Sequence, residues 1–240
     1  MLHGGTTLED ALGKVEEARP EEGSELALSD VTMFETVFEV PMEAARAQVP
    51  EVLDMEFPAS VRLALWEWPL EPGNLSSPRN RLAEIRASAR KGAVRLTWPV
   101  ASVYEGDPAT RDALRAAGVS LVEGQNRLEV YHDLSVATFE GGRAGAVRCE
   151  MKMISEIHPA GLQWNIASLL CPVEAGAAGT TAGFGLSAVR HTFASLRTGR
   201  PRVAGGHIEL ADGPLPVGGP IGGLVARGEV RIGPLAKLPA

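Results

Sequence analysis

A carboxylate and a guanidinium two residues apart in a segment of strand-like alternation are the first residues here that could do chemistry. In Leu82–Ala89, Ala83, Ile85, Ala87 and Ala89 fall on one face of a strand, and Leu82, Glu84, Arg86 and Ser88 on the other. On a solvated face, Glu84 and Arg86 form an exposed pair worth less than about 1 kcal/mol. Facing a closed interior, they are an acid and a cation in a low-dielectric pocket, where pKa values shift and function concentrates. Spacing alone leaves both readings open and points first to the solvated one.

The other candidates lie on similar alternating runs. Val61–Trp68 puts Val61, Leu63, Leu65 and Glu67 on one face and Arg62, Ala64, Trp66 and Trp68 on the other. Glu67 is then either a carboxylate past the sheet edge or a second acid beside Glu84, with Trp66 or Trp68 as a flat wall for an unsaturated substrate. In Arg127–Thr138, His132 falls among Leu128, Val130, Leu134 and Val136, the setting of a hydrogen-bonded core histidine, while Tyr131 points the opposite way. Trp98, Tyr131, His132 and Trp164 complete the candidate substrate contacts. Ala146–Ile154 alternates Arg148, Glu150 and Lys152 with Cys149, Met151 and Met153, the pattern of a solvated sheet face. No nucleophile elbow or triad spacing is visible.

Composition narrows the function classes. The 240 residues suit one large domain, and 45% hydrophobic and 22% charged residues match a globular chain. With 23 Lys+Arg against 30 Asp+Glu, a net charge of −7 and no basic block, nucleic acid is excluded as the expected partner. The two cysteines, Cys149 and Cys171, form no metal-ligand spacing, so neither a metal nor a disulfide framework is expected. No basic-then-apolar leader and no run of eighteen apolar residues occurs, so the expectation is a cytoplasmic protein without a membrane partner. Only four lysines, Lys14, Lys91, Lys152 and Lys237, are available for imine chemistry.

The elements that must position these residues are mostly strands. Nine β-type runs (Met33–Val40, Val61–Trp68, Leu82–Ala89, Val94–Tyr104, Arg127–Thr138, Ala146–Ile154, Leu162–Cys171, His207–Leu210 and Leu224–Ile232) predict an antiparallel sheet system or barrel. Helices are expected at Pro41–Val49, after Asp107-Pro108 as far as Gly118, and at Ser187–Leu196, although Val189, Thr192 and Phe193 also suit a strand there. Residues 1–30 read as a helical arm and linker. The arm's stripe of Leu8, Leu12 and Val15 needs cover, which makes a homo-oligomer an expectation. Residues 31–240 read as one domain, with a flexible loop at Glu174–Gly183 and a surface connection at Asp212–Gly223.

Several motifs in order resemble the acetoacetate decarboxylase superfamily over roughly Met33 to Val203. Val40–Leu53 is similar to the family's helix followed by V-P-E-x-L. Leu82-Ala83-Glu84-Ile85-Arg86 is similar to its strand with a catalytic-site glutamate, and Val103–Ala109 to its Y-x-D-x-x-P-A turn into a helix. Arg127-Leu128 and Gly199-Arg200-Pro201-Arg202 follow. The resemblance implies a β-rich α+β fold, a cone-like antiparallel barrel with a central pocket and a few flanking helices, which would turn Glu84 and Arg86 inward. It also implies a Schiff-base lysine, but Leu121 and Val122 stand in the two lysine places. The family's substrate-binding arginine falls near Val31, and its second pocket glutamate matches Ala64, with Glu67 close by.

The resulting expectation is an enzyme of bacterial secondary metabolism that uses no cofactor and no Schiff base. It would carry out lyase, isomerase or cyclase chemistry on an unsaturated, polyketide-like small molecule, with Glu84 as acid or base and Arg86 setting its charge or gripping an oxygen. The alternatives are a non-catalytic binding or carrier protein, and a decarboxylase whose lysine has moved to Lys152.

Overall fold

The computed structural model describes residues 25–74, 76–92, 94–117, 119–158, 163–172, 184–233 and 236–237. Residues 1–24 of the expected N-terminal arm and linker, the Glu174–Gly183 loop and Gly118 lie outside them, while Leu26–Asp30, the end of the expected linker, open the first strand. The first half contains β1 (Leu26–Glu39), α1 (Met42–Arg46), β2 (Asp54–Met55), β3 (Ser60–Pro69), β4 (Arg79–Lys91), β5 (Val94–Glu105) and α2 (Pro108–Ala116). Then follow β6 (Val122–Glu123), β7 (Gln125–Val130), β8 (Leu134–Gly141), β9 (Ala144–Ile157), β10 (Gln163–Pro172) and β11 (Phe184–Val203). The chain finishes with β12 (His207–Ile208), β13 (Leu215–Pro216), β14 (Pro220–Ile232) and β15 (Ala236–Lys237). No helix among the described residues is long and apolar enough to cross a membrane.

The long strands hydrogen-bond in the order β10-β5-β4-β3-β1-β14-β11-β9-β8-β7, and β10 also pairs with β11. That extra pairing closes seven strands, β10-β5-β4-β3-β1-β14-β11, into a ring, the barrel that the run of alternating segments implies. Beyond β11 the sheet continues through β9, β8 and β7 and folds back over the outside of the ring.

Contacts across the ring show which face is inside. Trp66 of β3 meets His191 of β11 edge-to-face at 5.5 Å, although β1 and β14 stand between those strands in the sheet. The inner apolar cluster therefore holds Met33, Trp66, Trp68, Leu82, Tyr104, Phe193, Leu196 and Leu224, and Leu114, Val119 and Leu121 close one end of it. The opposite residues of the same strands, among them Phe34, Phe38, Leu63, Leu65 and Ile85, pack outward against Ala137, Phe139, Val147, Cys149 and Met151. Cys149 Sγ lies 3.8 Å from Thr36 Oγ1, and burial pushes its thiol pKa up to about 12. Strand β4 is thus buried on both faces, which is why its outward positions are Ala83, Ile85, Ala87 and Ala89.

Helix α2 begins as its residues require: the Asp107 side chain accepts from Thr110 N at 2.8 Å, and Pro108 opens the first turn. Three expectations are corrected. The helix candidate Ser187–Leu196 lies within β11, where pairing with β10 and β14 on either side outweighs local capping and suits Val189, Thr192 and Phe193. The run Arg127–Thr138 is two strands joined by a turn at residues 131–133, with Tyr131 N donating to Leu134 O at 2.8 Å. The connection Asp212–Gly223 ends as strand, because Pro220–Gly223 opens β14.

Glycine marks the tightest approach in the ring. At Gly228, paired with Val31 and Phe193, an added Cβ would lie 1.8 Å from the Thr192 carbonyl oxygen, whereas at Gly222 it would meet nothing within 4 Å. Gly228→Ala should therefore lower the unfolding free energy by about 2 kcal/mol or more, and Gly222→Ala should leave it within about 0.5 kcal/mol, as read from urea denaturation curves.

Candidate functional site

Register brings the inward polar residues together. One rung of the sheet aligns Ser102, Glu84, Ala64, Glu35, Leu224 and Thr198 across β5, β4, β3, β1, β14 and β11. The next aligns Pro99, Arg86, Arg62, Val37 and Gly222. A bulge at Val100 on β5, between the pairs Ile85↔Ala101 and Arg86↔Pro99, keeps Ser102 facing Glu84. Five ionisable side chains, Glu35, Arg62, Glu84, Arg86 and His191, consequently share the interior.

They form a pair, Glu84 with Arg86, linked to a trio, Glu35 with His191 and Arg62. Arg86 donates to Glu84 Oε2, and Ser102 Oγ donates to Glu84 Oε1 at 3.3 Å, with Glu84 and Arg86 only 1% and 2% exposed. The Arg86 guanidinium also sits over the Trp66 ring, 5.5 Å from its centroid. Trp66 Nε1 in turn donates to Glu35 Oε1 at 3.0 Å. His191 Nε2 lies 3.3 Å from the same oxygen, and Arg62 Nη1 lies 3.5 Å from Glu35 Oε2. Burial by itself would raise the Glu35 pKa, but His191, Arg62 and the Trp66 N–H together outweigh it and hold the carboxyl well below the usual range. Burial pulls Arg62 down from the usual guanidinium value, against the pull of Glu35.

A cavity of about 400 Å³ opens above Glu35. Its walls are Val37, Leu196, Thr198 and Leu224 with the glycines Gly199, Gly222 and Gly223, and Ile157 and Ile221 stand at its rim. A larger groove of about 690 Å³ lies outside the ring along Arg81, Glu105, Arg127 and Arg148. Its arginines are committed to neighbouring carboxylates, Arg81 to Glu67 and Glu105, Arg127 to Glu129 and Arg148 to Glu150, so the inner cavity is the better site.

Of the residues singled out in the sequence, Glu84, Arg86, Trp66 and Trp68 come together inside the barrel. The solvated reading of the Glu84 face is overturned, because ring closure and the overlying β7–β9 bury both sides of β4. Glu67 is not beside Glu84: period two puts it on the outer face, where Arg81 Nε holds it at 2.6 Å. Trp98, paired with Ala87, packs against the outer cluster. Tyr131 and His132 are exposed in the turn after β7, so His132 is not a core residue. Trp164 lies on β10, and its side chain is outside the described residues. Lys152 is exposed on β9, outside the ring, so it has not moved into the pocket, and Lys91 Nζ reaches the Val52 carbonyl at 3.4 Å. Leu121, in one lysine place, is buried among apolar side chains, and Val122, in the other, is exposed.

Sequence reasoning missed Glu35 and His191. The signal for Glu35 was its place between Met33 and Val37, an acid on an otherwise apolar row of β1. His191 was concealed by the helical reading of its segment. No group of three or more metal-ligating side chains occurs among the described residues.

Because the pKa of Glu35 is depressed in the folded state, the stability it contributes is present in full above the ordinary carboxylate value of 4.5 and drains as pH falls below it. Glu35→Gln should cost about 3 kcal/mol at pH 7 by leaving Arg62 without its buried carboxylate. The gap between wild type and variant should narrow steadily from pH 5 to pH 2 in urea titrations.

No protein-family model and no curated protein matches the sequence. Solved structures do match. An acetoacetate decarboxylase superposes with a TM-score of 0.64 at 15% identity, covering 91% of both chains. An acetoacetate decarboxylase-like enzyme from Sphingomonas wittichii RW1 gives 0.60 at 13% identity, covering 90% of this chain and 92% of its own. The enduracididine biosynthesis enzyme MppR gives 0.56 at 15%, covering 89% and 87%. With its closed ring, its inward-facing Glu84 and these superpositions, the chain has the acetoacetate decarboxylase-like fold.

Proposed function

We propose that this protein is an enzyme acting on a small molecule held in the barrel, by acid–base and positional catalysis without a covalent lysine. The observation that carries the reading is a carboxylate, Glu35, at the base of an apolar cavity of about 400 Å³, with His191 Nε2 buried 3.3 Å behind it. A carboxylate held ionised is a weak base but a good partner for an imidazole: it fixes the ring's orientation and stabilises the cation formed when the ring takes up a proton. Neither ring nitrogen of His191 has a well-aligned hydrogen bond among the described residues, Nε2 standing in ion contact with Glu35 Oε1 at 3.3 Å. In this proposal Glu35 faces the substrate, and His191 behind it takes up or supplies the proton that Glu35 passes. The acid–base role read for Glu84 passes to this pair, since both Glu84 oxygens are taken by Arg86 and Ser102. Glu84 and Arg86 become positioning residues for Trp66 and Arg62.

A cavity of this size lies within the range of small-molecule pockets, and its walls are aliphatic. That supports a dehydration, isomerisation or cyclisation of an unsaturated, polyketide-like substrate, in which holding a reactive conformer does much of the work. The enduracididine biosynthesis enzyme MppR, which has the same fold and has been captured with pyruvate, supports a place in secondary metabolism. Lys91 and Lys152 both lie outside the cavity, and Lys237 is placed on β15, paired with Gly185, which argues against an imine route.

The test is proton exchange in D₂O, followed by NMR, over a panel of β-diketones, β-hydroxy ketones and β-keto acids. Wild type should accelerate exchange or conversion of at least one of them. His191→Gln should lose about a hundredfold or more while ligand binding survives. Borohydride should trap no lysine adduct. Binding without exchange or turnover for every compound would establish the carrier reading instead.

A further inference from the structure

The lining of the inner cavity restricts the chemistry of what it can hold. Among the described residues Glu35 is its only charged one, and the rest are aliphatic, glycine or Thr198, with no described arginine or lysine on its walls. Within the cluster, Glu35 Oε1 receives the Trp66 N–H and faces His191, whereas Oε2 is buried, has only the Arg62 guanidinium at 3.5 Å beside it and accepts no well-aligned hydrogen bond among the described residues. A buried carboxylate oxygen held only by a long, poorly aligned ion contact is under-satisfied, and a further donor stabilises it. The carboxyl is held ionised, so what it lacks is a donor and not a proton.

The wall beside this polar floor, one rung along on the neighbouring strand, is kept open by glycine. Gly222 pairs with Val37 on the inward face, and a Cβ placed on it would meet nothing within 4 Å. Gly222 is thus the position where a side chain would occupy ligand space without disturbing the protein. Gly223, its neighbour, faces outward and is tightly packed, its Cβ falling 2.6 Å from Met151 Sδ.

We infer that this cavity selects an uncharged, largely apolar molecule that presents a hydroxyl or enol O–H to the Glu35 carboxylate, and that it rejects anionic acids of the same shape. The inference rests on the inner cavity being the substrate site and deepens that reading by naming the class of substrate. A ligand carboxylate seated at the floor would face Glu35 across apolar walls. Two like charges about 4 Å apart at an effective dielectric near 20 oppose one another by roughly a thousandfold in affinity. Arg62 offsets part of that, which leaves an expected preference of about tenfold or more for the neutral donor. A ligand that keeps the body but lacks the O–H leaves the buried oxygen unsatisfied and loses a comparable factor.

Three probes with one body separate these terms: 3-phenylpropan-1-ol, its methyl ether and 3-phenylpropanoate, titrated into the full chain at pH 7 by calorimetry and ligand-observed NMR. The alcohol should bind about tenfold or more tightly than either analogue. Gly222→Val, which should fold as wild type, should weaken the alcohol at least tenfold. Glu35→Gln, if it folds, should raise the affinity of the carboxylate relative to the alcohol by about tenfold. Equal binding of alcohol and ether, stronger binding of the carboxylate, no binding of any probe at millimolar concentration, or alcohol binding untouched by Gly222→Val would each overturn the inference. The readout needs no turnover. A chain that selects the alcohol but exchanges no deuterium keeps this assignment and loses the enzymatic reading, while one that exchanges deuterium yet prefers the carboxylate does the reverse.

Discussion

Charges sealed inside a ring of strands must neutralise one another, and this constraint organises the rest of the molecule. Glu84 and Arg86 face inward from one strand, Arg62 and Glu35 from the next two, and each carboxylate has a guanidinium within reach. A buried ion of this kind costs several kcal/mol in lost hydration, offset only where geometry and further hydrogen bonds are good. Ser102 and Trp66 supply those bonds, and the Val100 bulge is what keeps Ser102 in register with Glu84. Replacing one charge alone strands its partner, so the cluster changes as a unit or not at all.

Such a cluster is a poor way to gain stability, because well-packed apolar residues of the same volume do as well or better. The ring has apolar material enough: Met33, Leu82, Phe193, Leu196 and Leu224 already fill the space around the charges. Stability therefore does not explain five ionisable groups in the interior, and a use for them does. The place of Glu35 at the base of an open cavity, with the other four linked behind it, is consistent with that use.

How much of this was legible in the sequence depended on the range of the interactions involved. Period-two alternation separated the two faces of β3 and β4 correctly, and the Asp107-Pro108 start of α2 is local capping chemistry that needs no tertiary context. Alternation says which residues share a face and nothing about what covers it. The inward direction of Glu84 came from the family resemblance, and only the ring, closed by β10 against β11, accounts for it physically. Glu35 reaches Trp66 and Arg62 through the β1–β3 register, a pairing of segments more than twenty residues apart that no local pattern encodes. His191 was lost for a related reason: its segment carries a plausible helix cap, and the two flanking strands that overrule it are remote in sequence. Tyr131 and His132 failed the other way, since their alternation continues smoothly across a turn.

The replacement of the lysines is coherent with the rest of the site. Leu121 sits in the apolar cluster that closes one end of the barrel, where an ammonium would need its own buried counter-charge. Both inward carboxylates are already matched by arginines, so no negative charge is left over to hold one. Covalent chemistry of the imine kind and the present charge balance are therefore alternatives, and this interior is built for the second. What remains at the cavity floor is a carboxylate fixed in orientation by Trp66, beside an imidazole and beneath an aliphatic wall opened by Gly222. In the proposed reading that arrangement holds a neutral molecule and moves a proton on it, without the lysine imine that would serve as the electron sink for loss of CO₂ from a β-keto acid.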